Sequence, residues 1–328
     1  MEYRATHLAD EPLNYFLQQS DVGPHLRVSD VVLRTVLDPK EIFSALIRMG
    51  TDSHWSHSSL LYLLNDPLQG FDNIFLVESM TTGVRVASWR NEVTPPERFT
   101  VGIRRLPLDW YAESPRDAAK RDDNNVDDVH GIAYLRHARG LALDQINELY
   151  NQNTVDEISA LYVERMAKRH DIPLVPKIAA QFATYFRKRD ASVIRFICSG
   201  LVQYSFFEAL RRRIINDFAI PEHRDCAISN LNNLHRVIFH PDPEGVITNY
   251  VQQVESGKIA IAAPVPGEVL DLLKTTTPAD VNNTPNLGWR YIIRKGWVWE
   301  IDEAPAGHKP QSDDEMAVLE LMNPVSHT

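Results

Sequence analysis

The sequence predicts a mixed α and β protein in which a group of antiparallel strands precedes a group of helices. Short apolar segments separated by turn residues fill positions 31–106, and apolar residues recur at helical intervals across 127–213. Strands this close together favour an antiparallel meander, and the helical intervals favour helices. A second pair of strands is expected at 288–301, where GWRYIIRKGWVWEI turns near Lys295-Gly296.

The early elements are predicted from runs of β-branched and aromatic residues that end at turn residues. A strand around Val31–Leu33 ends at Asp38-Pro39, and a short helix is expected across Lys40–Met49. The meander is expected to contain four strands, at Ser58–Leu64, Phe71–Met80, Gly83–Trp89 and Arg98–Leu106.

The later part of the chain is predicted to be mostly helical. The polar segment 114–130 is expected to be a loop or linker. A helix is expected to begin at Cys198, because Cys-Ser-Gly stands where the helical pattern starts and Arg211–Arg213 close its last turn. A further helix is expected across Pro243–Val254 and a loop at Thr275–Val281.

Composition and charge limit the class of protein. The 328 residues contain 34 Lys and Arg against 44 Asp and Glu, which gives a net charge of −10. An acidic chain has no general attraction to phosphate backbones, so no nucleic-acid partner is expected. The sequence begins with neither a basic segment nor a following apolar one, and no apolar run is long enough to cross a membrane. We therefore expect a cytoplasmic protein with no transmembrane segment.

The two cysteines, Cys198 and Cys226, are too few for a disulfide framework or a cysteine-rich zinc site. Both are expected to be free thiols in a reducing compartment. Cys198 stands at the predicted helix start, where N–H groups and the helix dipole favour a thiolate and a developing oxyanion. The alternative is that Cys198 is a small buried apolar residue, as free cysteines commonly are.

Candidate partners for this thiol come from the predicted meander. His54 and His57 precede or open a strand, and a histidine there can serve as the base. Glu78 shares a strand face with Ile74 and Leu76, and a carboxylate on a core-facing position is costly unless it is paired. It is therefore a candidate to orient the imidazole, the alternative being a surface glutamate on an edge strand.

Metal, cofactor and serine chemistry are disfavoured by the motifs. No HExxH occurs, and no third ligand lies near His54 and His57. Ser199 is not part of a GxSxG elbow, and neither a P-loop nor a GxGxxG is present. No cofactor is expected.

Five segments, in their order along the chain, together resemble the circularly permuted papain-like branch of the NlpC-type cysteine peptidases and amidases. That branch includes the YiiX-like group and, more distantly, the lecithin:retinol acyltransferase-like enzymes, and its histidine precedes its cysteine. The matching segments are VSDVVL with Ser29 in place of the family's Gly, WSHSSLLYLL with His57, FLVESMTTGVRV with Glu78, FICSGLVQYSF with Cys198, and Thr277-Pro278-Ala279-Asp280. The resemblance covers residues 26–106 and 190–300, and His54 does not match the motif position.

The resemblance implies an α+β, permuted papain-like fold, with an antiparallel sheet packed on the helix that starts at Cys198. A single catalytic domain would span residues 25–302, with an added helical insertion at about 127–190. Residues 1–24 would be a lead-in, and residues 303–328 a disordered tail.

The implied chemistry is acyl transfer by a Cys-His-Glu site. Cys198 would attack a carbonyl, His57 would take and return the proton, and Glu78 would orient His57 while helix-start amides hold the oxyanion. A peptidase or amidase is the first expectation, with a peptide, amide or lipid-like acyl compound as substrate. A lipid-directed acyltransferase or thioesterase, and a non-catalytic binding module on the same fold, are the alternatives.

Overall fold

The computed structural model describes residues 2–10, 16, 26–37, 42–63, 74–80, 83–94, 98–121, 129–146, 197–242 and 245–323. The strands are β1 Tyr3–Ala9, β2 Val31–Val36, β3 His57–Leu63, β4 Ile74–Met80, β5 Gly83–Ser88, β6 Phe99–Arg105, β7 Gly288–Arg294 and β8 Trp297–Glu303. The α-helices are α1 Ile42–Thr51, α2 Trp89–Val93, α3 Pro115–Ala118, α4 Ile132–Asp144, α5 Cys198–Phe218, α6 Arg224–Asn232, α7 Val246–Glu255, α8 Gly267–Lys274, α9 Pro278–Asn283 and α10 Asp313–Glu320, with 3₁₀ turns at Pro221–His223 and Leu234–Val237. The helices expected between 147 and 190 lie outside the described residues.

One antiparallel sheet contains these eight strands, in the order β1-β8-β7-β6-β2-β3-β4-β5. The mixed α+β class is therefore as expected. The predicted meander is correct from β3 to β5 and wrong for the fourth strand, because β6 pairs with β2 and not with β5. After β5 the chain forms α2, which contacts β4, β5 and β6 and so carries the chain back across the sheet.

The two ends of the described chain differ from the expected lead-in and disordered tail. Residues Tyr3–Ala9 pair with β8 at the edge of the sheet. Residues Asp313–Glu320 form α10, and its Glu315 accepts a hydrogen bond from the backbone N–H of Ala5 at 3.2 Å. The two ends therefore stabilise each other. Contacts between residues so far apart in sequence produce no local pattern from which they could be predicted.

Among the later elements, one expectation is wrong and two are confirmed. The expected loop at 275–281 contains the start of α9, where Thr277 and Asp280 exchange backbone-to-side-chain hydrogen bonds of 2.7 and 3.2 Å. The helix expected near 243–254 is α7, and the hairpin is β7–β8. Lys295 and Gly296 take φ values of 53° and 83°, as a two-residue hairpin turn requires.

α5 is the central helix, and it packs against β3, α4, α6 and α8. Its side chains Leu201, Phe206 and Leu210 are fully buried. At Gly200 a Cβ atom would lie 2.0 Å from the carbonyl oxygen of Lys274, so only glycine lets the first turn of α5 approach the end of α8. Packing thus fixes the position of the helix start that carries Cys198. None of the described helices is both long enough and apolar enough to span a bilayer.

Candidate active site

The register of β2 to β5 brings four polar side chains together on the sheet. Arg34 lies opposite His57 in the β2–β3 pair, and Glu78 lies opposite both Ser59 and Arg85. Because residues two positions apart share a face of the sheet, His57 lies on the side of Ser59 and diagonal to Glu78. Strand pairing alone therefore assembles an imidazole, a carboxylate and two guanidinium groups.

Glu78 is fully buried and paired on both oxygens. Its Oε2 lies 2.8 Å from Nε2 of His57, and its Oε1 accepts from Nε and Nη2 of Arg85 at 2.8 and 2.6 Å. Nη2 of Arg34 lies 3.8 Å from Oε2. Burial alone would raise the pKa of Glu78, but the hydrogen bond and charge of His57, with the two arginines, lower it to about 2. Glu78 is thus a stable carboxylate at neutral pH.

His57 connects this carboxylate to the thiol of Cys198. A carboxylate only accepts hydrogen bonds, so Nε2 donates to Glu78 and Nδ1 is left for the thiol. Burial works to lower the pKa of His57, whose side chain is 12 % exposed. The charge and hydrogen bond of Cys198, followed by those of Glu78, raise this pKa to about 9. The ring is therefore held in one orientation and favours the protonated form.

Cys198 is the first residue of α5 and is 2 % exposed. Its burial tends to raise the pKa of the thiol. The charge and hydrogen bond of His57, a backbone hydrogen bond from Ser58 and the hydroxyl of Ser199 outweigh burial, and they hold this pKa below its ordinary value. Sγ lies 3.7 Å from Oγ of Ser199, which in turn accepts a 2.9 Å hydrogen bond from Oγ of Ser58.

The three predicted catalytic side chains are therefore together, and the chemistry they can perform is nucleophilic. A thiolate beside an imidazolium at a helix start has a proton donor on one side and first-turn N–H groups on the other. Those N–H groups have no acceptor within the helix and favour an anion. The described residues contain no grouping of three or more His, Cys, Asp or Glu side chains of the kind that holds a metal ion.

His54, the other histidine considered, has no part in this arrangement. Its pKa is lowered by burial, and the charges that act on it belong to Glu320 and Arg48. The site residues that the sequence reasoning missed are Arg34 and Arg85. The signal that could have found them is an arginine within a strand of mostly apolar residues, as in VVLRTV and GVRVAS.

The turn before β2 helps to hold the site in place. Ser29 takes a φ of 63°, a left-handed conformation that favours glycine. Its Oγ donates a 2.7 Å hydrogen bond to the carbonyl of Leu135, which offsets part of that strain. Asp30 beside it binds Arg105 through both oxygens, at 2.8 and 2.7 Å. The turn before β2 is thereby tied to α4 and β6.

Comparisons of the chain with protein-family models, curated proteins and solved structures found no match. What the site does is therefore argued from its own residues, since a fold alone does not define an activity.

Proposed function

We propose that this protein is a thiol hydrolase of the peptidase and amidase class that acts by acyl transfer through Cys198, His57 and Glu78. One observation carries the proposal: a single imidazole lies between a thiol whose pKa it lowers and a buried carboxylate 2.8 Å from its other nitrogen. A buried cysteine without function needs neither partner. The order of histidine before cysteine, with the cysteine opening the central helix, supports a permuted papain-like fold as part of the proposal.

The first half-reaction forms a thioester. Sγ of Cys198 attacks the carbonyl carbon of an amide, and the carbonyl opens to an oxyanion that the first-turn N–H groups of α5 bind. The imidazolium of His57 then gives its proton to the leaving nitrogen while the C–N bond breaks.

The second half-reaction returns the enzyme to its starting state. Water attacks the thioester carbon and gives a proton to His57, and the C–S bond breaks to release a carboxylic acid and the thiolate. Glu78 keeps the ring oriented throughout and does not take the proton, because His57, with Arg34 and Arg85, holds the pKa of Glu78 low. A reducing cytoplasm, where Cys198 and Cys226 stay free thiols, is the setting that suits this chemistry.

The test is the titration of Cys198 in the folded protein. Thiolate ultraviolet absorbance is followed against pH in wild type, His57→Ala and Cys226→Ala, together with the rate of alkylation by iodoacetamide. Absorbance needs no reagent to reach the thiol, which matters because Cys198 is 2 % exposed. We expect one thiolate to form well below the free-thiol value of about 8.5 in wild type and in Cys226→Ala, and to be lost in His57→Ala.

Two results would contradict the proposal. A Cys198 that ionises no earlier than Cys226, or one that ionises early even in His57→Ala, leaves no thiolate–imidazolium pair to do the chemistry. If the pair is present, a panel of peptides, simple amides and thioesters identifies the substrate class, with Cys198→Ala as the inactive control.

A further inference from the structure

A cavity of about 810 Å³ lies beside α7, between the chain segment that follows Leu234–Val237 and the chain that follows α9. This volume is typical of sites for small organic molecules. None of its lining residues is Cys198, His57 or Glu78. Its apolar surface comes from Ile238, Phe239, Ile247 and Val251.

Asp and Glu side chains line the cavity. Asp242, Glu255 and Asp280 line it, and none of its described lining residues is lysine or arginine. Asp242 and Asp280 also cap helices, since the Oδ2 of each accepts from a threonine N–H and hydroxyl. With Glu255 they leave the side chains of the lining with a net negative charge. Such a site repels anions and attracts a cation.

The hydrogen-bonding groups of the cavity point to the same ligand. Nδ1 of His240 donates to the carbonyl of Pro241, which only accepts, and in the neutral form of the ring Nε2 is an acceptor. The amide nitrogen of Asn286 donates to the carbonyls of His235 and Ile238 at 3.0 and 2.6 Å, which leaves its oxygen as an acceptor. With the carboxylates, these acceptors match a ligand that donates hydrogen bonds.

Buried side chains hold two walls of the cavity in place. Gln203 on α5 donates to the carbonyl of Val237 at 2.7 Å and accepts from the N–H of Phe239 at 2.5 Å. Arg104 on β6 donates to the carbonyls of Asn282 and Thr284 at 2.7 and 3.0 Å. The cavity is thus preformed, which lowers the entropy cost of binding.

We propose that this cavity is a second ligand site that binds a small organic cation, with a primary ammonium group carried on an apolar body. The ammonium group lies at the carboxylate of Glu255, at the end of α7, and the apolar body packs on Phe239 and Val251. The proposal is independent of thiol chemistry at Cys198.

The probe is dansylcadaverine, an ammonium ion on an apolar fluorophore, and its control is the same molecule with the amine acetylated. Fluorescence titrations are made on wild type, Glu255→Lys, Gln252→Trp, Glu303→Lys and Cys198→Ala. Glu255 and Gln252 line the cavity and are exposed, so these changes spare the core. Glu303 is an exposed glutamate at the end of β8, and it receives the same change of charge away from the cavity.

Binding is expected to depend on the charge of the probe and on whether the substituted residue lines the cavity. The acetylated probe binds at least about tenfold more weakly than the cation, and Glu255→Lys and Gln252→Trp each weaken the cation by at least about tenfold. Glu303→Lys and Cys198→Ala change its affinity by less than about twofold. Equal affinity for the two probes, unchanged binding in both cavity variants, or a loss of binding in Cys198→Ala overturns the proposal. Thermal melts of each variant separate lost binding from lost folding.

Discussion

A thiol, an imidazole and a carboxylate come together in two places in the molecule, and the pKa of the thiol shifts in opposite directions at the two. At the start of α5 these groups belong to Cys198, His57 and Glu78. Beside the end of α5, His223 lies 3.2 Å from Asp217, and Cys226 contacts the carbonyl of Glu113 at 3.6 Å. Residue types alone do not distinguish the two clusters.

The two clusters differ in the sign of the charge that acts on each sulfur. At Cys226, burial and the carboxylates of Asp217 and Asp225 all raise the pKa of the thiol. At Cys198, the cation of His57 and its hydrogen bond outweigh burial, and the pKa is lowered. A carboxylate helps a thiolate only when an imidazole stands between them, as at Glu78. This arrangement marks the first cluster, and not the second, as the candidate for chemistry.

The largest expected effect is on turnover of whichever amide or thioester substrate is identified. Cys198→Ala and His57→Ala each lower kcat/KM by at least about 10³-fold, because nucleophile and base act as a unit. Cys226→Ala, the matched change in the other cluster, leaves kcat/KM within about twofold of wild type. Initial-rate kinetics on the three variants checks this. If Cys226→Ala were the variant that lost turnover, the assignment of the two clusters would be reversed.

The next effect concerns the packing that positions Cys198. Gly200→Ala places a methyl group 2.0 Å from the carbonyl oxygen of Lys274, so the first turn of α5 has to shift. We expect it to lower the free energy of unfolding by about 3 kcal/mol or more.

The control is Gly140→Ala in α4, where no atom lies within 4 Å of the added carbon. That change is expected to raise the free energy of unfolding by about 0.5 to 1 kcal/mol. Denaturant titration measures both variants. Equal changes in the free energy of unfolding at the two glycines would show that helix propensity, and not the close approach of α8, determines the effect of Gly200→Ala.

Glu78 makes the first cluster sensitive to acid. Its pKa is about 2 in the folded protein against an ordinary value of 4.5, so the folded state binds this proton less readily than the unfolded state. The stabilisation is therefore present above pH 4.5 and is lost as the pH falls toward 2, and it amounts to roughly 3 kcal/mol. The free energy of unfolding, measured by urea titration over this range, is expected to fall less steeply in Glu78→Gln. Parallel pH profiles for the two proteins would contradict this role of Glu78.

The three members of the first cluster were predicted from local features of the sequence together with the resemblance of five segments to a known family. Glu78 interrupts an apolar strand, His57 opens another, and Cys198 stands where a helical pattern begins. Arg34 was not predicted, since its role depends on the register that sets it opposite His57. The register between two strands is a non-local property, and the alternation of apolar and polar residues along one strand does not specify it.

The same reason explains the errors in the fold. Strand β1 and helix α10 were expected outside the domain, and β6 was expected beside β5. All three are placed by contacts with distant parts of the chain, as in the pairing of β1 with β8. The β7–β8 hairpin was predicted because its turn lies at Lys295-Gly296, within the segment itself.

The smallest expected effect tests the second cluster by electrostatics alone. Asp225 is exposed, and its carboxylate contributes to the raised pKa of Cys226. Asp225→Asn is therefore expected to lower that pKa and to speed alkylation of Cys226 at neutral pH by less than about threefold, because water and salt screen an exposed charge. Glu222→Gln removes an equally exposed carboxylate that does not act on the thiol, and it leaves the rate unchanged. If Asp225→Asn slowed the reaction, the sign of the nearest charge would not explain why the two cysteines differ.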